Sequence, residues 1–139
     1  MTTKYCYNLA MRKSTRLITQ FYEERLSTVG LKVGQFSILR ATHYRKKTTN
    51  KELQSILVLD QTTLSRAIKP LIRDGLLSTS ADEDDLRRKI ISITPQGEKT
   101  YLKALPLWQE AQKSLKKKLG NKEIDNILDL SKSFVKNLA

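Results

Sequence analysis

Apolar residues recur at helical spacing along most of this chain, and between residues 75 and 93 that period gives way to two strand-like segments. Leu17, Ile18, Phe21, Tyr22 and Leu26 form one stripe of a first helix over residues 5–28, with Gly30 behind it as a stop signal. Phe36, Leu39 and Tyr44 predict a second helix over residues 34–45 that turns these three inward. Thr49-Asn50-Lys51-Glu52 has the Thr-x-x-Glu form of a capping box, so a short third helix begins there and buries Leu53, Ile56 and Leu57. A fourth helix opens with the small hydrogen-bonding side chains of Asp60-Gln61-Thr62-Thr63. Leu64, Ala67, Ile68 and Leu71 follow at i, i+3, i+4 and i+7, which leaves one face to pack and the other free to read something. Gly75 stops this helix, Leu76-Leu77 starts an extended segment, and Lys89-Ile90-Ile91-Ser92-Ile93 returns after a charged tip at residues 82–88. The pattern is a helix followed by a β-wing.

Thr94-Pro95 fits an N-cap followed by proline at the first helical position, and it launches a long helix to about Leu119 that Gly120-Asn121 breaks. A last helix carries Ile124, Ile127, Leu128, Phe134, Val135 and Leu138 at helical spacing. The expected fold is mainly α with a small β-wing, a winged helix-turn-helix over about residues 31–97. Its core reads as complete without residues 5–28 and 98–139. Those flanking helices then need another surface for their apolar faces, and the simplest is the same segments of a second copy. Pro70 and Pro106 fall inside predicted helices, where each removes a backbone donor, and both are read as tolerated kinks.

With 139 residues and 39% hydrophobic content the chain supports one core and a single domain over residues 1–139. The formal charge of +12 is uneven: residues 1–80 hold 14 Lys/Arg against 5 Asp/Glu, and residues 81–139 hold 12 against 9. The excess lies with the reading region and what precedes it, which suits a polyanionic partner, nucleic acid or an anionic surface. No apolar run approaches the roughly 20 residues that span a bilayer, and no signal-peptide core stands at the N-terminus, so the expectation is a cytoplasmic protein without a membrane partner. One cysteine and one histidine give no zinc set, and no metal or other cofactor is expected. No phosphate-cradling glycine loop or nucleophile motif is present, and the chain is not read as an enzyme.

Asp85-Leu86-Arg87, the strand after it, and Ile93-Thr94-Pro95-Gln96-Gly97 match a D-x-R, strand, L-T-x-x-G pattern, at the right separations from Asp60-Gln61-Thr62-Thr63-Leu64-Ser65-Arg66 and Asp74-Gly75-Leu76-Leu77. In these motifs the chain resembles the MarR family of bacterial transcriptional regulators, and the resemblance extends over nearly its whole length. It implies a homodimer joined through the N- and C-terminal helices. It also implies binding to a pseudo-palindromic double-stranded operator with half-sites about one helical turn apart. A repressor released by a small-molecule effector, taken up between the dimer helices and the reading head, is the family's pattern. The alternative from another class is a winged-helix module that binds RNA or a protein partner without operator specificity.

In helix-turn-helix geometry the first residues of the reading helix meet bases. Gln61, Thr62 and Arg66 are therefore assigned to base readout, and Thr63, Ser65 and Lys69 mainly to phosphates. The competing reading makes Thr63 a cap and Lys69 a solvated side chain. Arg87 is assigned to the minor groove, Arg88 beside it also to DNA, and Asp85 to orienting Arg87. The acids at 82–85 would repel phosphate, so only the tip of the wing is expected to insert. Relatives that sense organic hydroperoxides keep a reactive cysteine early in the first helix, which makes Cys6 a redox candidate. Those sensors cage the thiol with tyrosines, one of which falls at Val33 here, and Ala10 stands four residues after Cys6, so an inert thiol is the favoured reading. His43 is assigned to the surface or an interface, and Tyr101 and Trp108 to core.

Overall fold

Ile91 is 1% exposed, on the central strand of a three-stranded antiparallel sheet. In the computed structural model, which describes residues 4–139, the elements run α1 (Tyr7–Leu26), a 3-10 turn (Ser27–Val29), α2 (Val33–Arg45) and β1 (Lys47–Thr49). They continue with α3 (Asn50–Leu57), α4 (Gln61–Arg73), β2 (Leu77–Ala81), β3 (Lys89–Ile93), α5 (Pro95–Leu119) and α6 (Asn121–Leu138). The expected six helices and wing are all present, and the fold is mainly α with a small β-wing.

β1 is an addition to the expected hairpin. Its register places Thr48 opposite Ile91 and Thr49 opposite Ile90, in sheet order β1-β3-β2. Lys47-Thr48-Thr49 has no hydrophobic alternation to announce a strand. The open edge of β3 supplies the hydrogen-bonding partners instead, and β-branched threonines suit that surface.

α4 buries Leu64, Ile68 and Leu71, as its spacing predicts, and α3 buries Leu53. Two apolar positions expected to face inward do not, Tyr44 being 65% exposed and Ile56 46%; Leu17, on the α1 stripe expected to need a second copy, is exposed as well. Both prolines lie inside continuous helices, Pro70 in α4 and Pro106 in α5.

The flanking helices enter the core, contrary to the expectation that residues 31–97 complete it alone. Leu26 of α1 and Tyr101 and Ala104 of α5 are buried with Phe36, Leu39, Leu53 and Leu71 in one cluster. Phe36 stacks on Tyr101 at 5.4 Å and on Trp108 at 5.5 Å between ring centroids, so α5 is bonded to α2 by an aromatic column. Tyr22 of α1 donates to the Gln112 side chain of α5, and burial pushes its phenol pKa up. α6 is different, with no buried residue.

The join between the wing and α5 is close. Thr94 caps α5, its hydroxyl accepting from the Gly97 N–H at 2.9 Å and donating to the Gly75 carbonyl at 2.6 Å, while its own N–H donates to the Leu76 carbonyl at 3.1 Å. No helix among the described residues is long and apolar enough to cross a membrane.

Candidate nucleic-acid interface

Asp60 begins the reading helix. Its carboxylate accepts the Thr63 N–H at 2.6 Å, which satisfies a donor the first turn would leave open and holds the Asp60 carboxyl below the usual carboxylate range. With the start fixed, Leu64, Ile68 and Leu71 anchor the inner face. Gln61, Thr62, Thr63, Ser65, Arg66 and Lys69 are all exposed on the other side. Thr63 acts on the Asp60 carboxylate through its backbone N–H first and its side chain second, so it takes part in the cap.

The wing meets this helix across a groove of about 760 Å³. Gln61 and Ser65 of α4 line it with Arg87, Arg88 and Lys89 of the wing and Lys51 of α3. Thr62, Thr63, Arg66 and Lys69 lie outside that groove's lining. Thr49, Asn50, Glu52 and Gln54 complete the lining, and Asn50, Gln54 and Lys89 were not among the sequence candidates. The capping motif at Thr49 was the available signal for Asn50, since it sets that residue in the first turn of α3.

The two wing arginines differ. Arg87 has a side chain 96% exposed, and its backbone N–H donates to Asp85 Oδ1 at 3.0 Å while its Nε lies 3.8 Å from the same oxygen. Arg88 is 54% exposed and pairs through Nε with Asp82 Oδ2 at 3.7 Å. Asp82 also accepts the Asp84 N–H at 3.0 Å, and its own N–H donates to the Arg88 carbonyl at 3.0 Å. Part of the acidic run is therefore spent folding the tip.

Glu52 lines the groove and is the one carboxylate in it among the described residues. Thr49 accepts the Glu52 N–H at 3.2 Å, the first half of the expected capping box, but the Glu52 carboxylate does not return to Thr49. One oxygen accepts from the Thr48 hydroxyl at 2.9 Å and from Arg45 Nε and Nη2 at 3.1 and 2.8 Å. The Thr48 hydroxyl first, and Arg45 after it, hold the carboxyl below its ordinary range against the opposing effect of burial. A carboxyl depressed in the folded state contributes stability above its unfolded pKa and loses it as pH falls through the folded one. Denaturant unfolding of Glu52→Gln should accordingly show a smaller loss of stability than the parent between about pH 7 and about pH 3. Parallel acid limbs would detach this cluster from the stability of the fold.

Away from the wing, a cleft of about 320 Å³ lies between α2, α3 and α5, walled by Phe36, Arg40, Tyr44, Ile56 and Trp108. The Arg40 guanidinium stands over both Trp108 and Tyr44, at 4.9 and 5.3 Å from the ring centroids. Behind it the Tyr101 hydroxyl is buried without a hydrogen-bond partner, and burial first, then Tyr44, push its pKa up. His43 is half-buried rather than free at the surface: Nδ1 lies 2.6 Å from Glu98 Oε2 and the ring stacks on Tyr101 at 4.5 Å.

Cys6 is the N-cap of α1, exposed, with Sγ accepting the Leu9 N–H at 3.4 Å; Tyr5 and Tyr7 beside it are exposed as well. Among the described residues no three His, Cys, Asp or Glu side chains gather as a metal-binding group.

Comparison with known proteins bears on the fold and the family. A family model described as a winged helix DNA-binding domain matches residues 31–97. An uncharacterized HTH-type transcriptional regulator of Bacillus subtilis, YwoH, is 33% identical over 91 residues, 66% of each chain. The HTH-type transcriptional regulator BilQ of Clostridium symbiosum is 27% identical over 92 residues, 66% of this chain and 64% of the relative. The match thus spans just under two thirds of the length of these two curated relatives. Among solved structures, the transcriptional regulator MOSR of M. tuberculosis in complex with DNA is 30% identical, covers 93% of this chain and 96% of its own, and superposes with a TM-score of 0.82. A mutant MarR of E. coli complexed with operator DNA shares the fold at 21% identity, with 91% of each chain covered and a TM-score of 0.81.

Proposed function

Because the chain belongs to the MarR family of winged-helix transcriptional regulators, we propose that it acts as a homodimer that binds a pseudo-palindromic double-stranded DNA operator. One observation carries this reading. The capped helix α4 exposes six polar side chains over three buried anchors, and a fully solvated Arg87 stands beside it across a basic groove. A helix of that size fits the major groove, whose base edges display distinct donor and acceptor patterns, while a flanking guanidinium suits a narrow minor groove. Gln61, Thr62 and Arg66 read bases, Thr63, Ser65 and Lys69 hold phosphates, Asp85 orients Arg87, and Arg88 adds charge at the wing. Residues 31–97 form the reading unit, and 5–28 with 98–139 the dimerisation helices, α5 serving both.

We infer further that the protein is a cytoplasmic repressor released by a small-molecule effector. The cleft around Arg40 supports an effector site there, since it holds a cation over two aromatic rings between α2 and α5. A ligand preferring one packing of α5 shifts the spacing of the two reading helices by its differential affinity.

Selection of bound duplexes from a random pool, then titration of the winner against scrambled DNA at two salt concentrations, tests the function. The expected result is an enriched palindrome favoured by roughly 10³ or more. Equal, steeply salt-dependent binding to all duplexes would leave a winged-helix module for RNA or a protein partner. With the operator known, Arg66→Ala should cost about 1–3 kcal/mol and relax preference at one position per half-site. A uniform loss across all sequences would move Arg66 to the phosphates.

A further inference from the structure

Lys46 joins α2 to β1 with φ +66° and ψ −53°, a backbone conformation that few residues other than glycine adopt. Only the three residues of β1 lie between it and α3. That short strand bears on the wing, since Thr48 pairs with Ile91 and Thr49 with Ile90 of β3, and β3 begins directly after Arg87 and Arg88. Where those arginines stand therefore depends on how the turn at Lys46 is held.

Glu52, in the first turn of α3, holds it. One oxygen, Oε2, accepts from Arg45 at the end of α2 and from Thr48 in β1, so it ties the residue before the unusual position to the strand after it. Thr48 is 2% exposed, and its hydroxyl relies on this bond. The arrangement carries an electrostatic cost. The other ionisable side chains lining the groove, Lys51, Arg87, Arg88 and Lys89, are all cations, and a carboxylate among them repels the phosphates they attract. By charge alone, removing Glu52 should tighten binding to any duplex. The hydrogen bonds point the other way.

We propose that Glu52 is a positioning residue for DNA reading: it clamps the Lys46 turn so that β1 holds β3, and with it Arg87 and Arg88, at the distance from α4 that an operator requires. The proposal rests on the operator-binding reading above and adds to it a residue whose own charge opposes the ligand.

Fluorescence anisotropy titrations of the full chain with the selected operator and with scrambled DNA test it through two variants. Glu52→Gln keeps the shape of the side chain and removes its charge, whereas Thr48→Val removes the buried hydroxyl and leaves the charge of the groove as it was. Glu52→Gln should lower the ratio of operator to scrambled affinity by about threefold or more, and Thr48→Val should move it in the same direction. Partial unfolding weakens both duplexes alike and would not change that ratio. Arg87→Ala gives a second readout: it should cost less operator affinity in the Glu52→Gln background than in the parent, because the clamp acts through the wing. Tighter binding to both duplexes at an unchanged ratio would make Glu52 only a charge in the groove and overturn the proposal, as would losses that simply add. A parent chain that prefers no duplex removes the operator reading itself, and the positioning role with it.

Discussion

Gly97→Ala should unfold the protein some 10 °C earlier than the parent at equal concentration, corresponding to about 3 kcal/mol or more of lost stability. A Cβ on Gly97 would lie 2.0 Å from the Leu76 carbonyl oxygen and 2.8 Å from Ile93 Cγ1. Neither neighbour can withdraw cheaply. Leu76 is backbone at the start of the wing and its oxygen already accepts the Thr94 N–H, while Ile93 ends β3 in register with Leu77. Moving either would also break the Thr94 hydroxyl's bonds to Gly75 and Gly97. The requirement is for space, not for a left-handed backbone. Gly34 supplies the control: a Cβ there meets nothing within 4 Å, and Gly34→Ala should leave the melting temperature unchanged or raise it. Thermal unfolding followed by circular dichroism reads both. A Gly97→Ala variant melting with the parent would show that α5 can shift off the wing without loss.

That glycine illustrates what the sequence makes legible and what it hides. The residues Ile93 to Gly97 stand out as a motif, and Thr94-Pro95 is readable as a helix start because capping is a local event among neighbours. The reason for the glycine is not local, since it depends on Leu76, some twenty residues earlier. The same division runs through the rest of the fold. α4 is legible because Leu64, Ile68 and Leu71 repeat at the helical period and Asp60 caps within three residues. β1 is not, because Lys47-Thr48-Thr49 becomes a strand only by pairing with β3. Glu52 has the right spacing for a capping box, yet Arg45 and Thr48 compete for its carboxylate and win with three hydrogen bonds. His43 carries no sequence sign of Glu98, 55 positions away. Tyr44 and Ile56 satisfy the apolar period but face solvent beside the Arg40 cleft, since a period fixes a face and not what covers it. Tyr101 and Ala104 belong to the reading domain's core although they lie beyond its motif.

Arg87→Ala should leave the fold and the dimer unaltered and remove most of the specific DNA affinity. Its side chain is 96% exposed and its ion pair with Asp85 spans 3.8 Å, and an exposed pair of that kind adds little to stability. Whatever Arg87 contributes is therefore available to a partner. At about 1–3 kcal/mol for a well-placed contact, and with one arginine at each of two half-sites, the loss is roughly 30-fold to 10⁴-fold in Kd. Arg87→Lys keeps the charge but gives up the flat guanidinium, so it should recover the salt dependence more fully than the affinity. Arg88→Ala should lose less, because that guanidinium is already shared with Asp82 and lies in the field of Glu52. Fluorescence anisotropy titrations of the selected operator and of scrambled DNA at two salt concentrations separate the three variants. If Arg87→Ala and the parent bind the operator alike, the wing does not enter the DNA. Specificity would then rest on α4 alone.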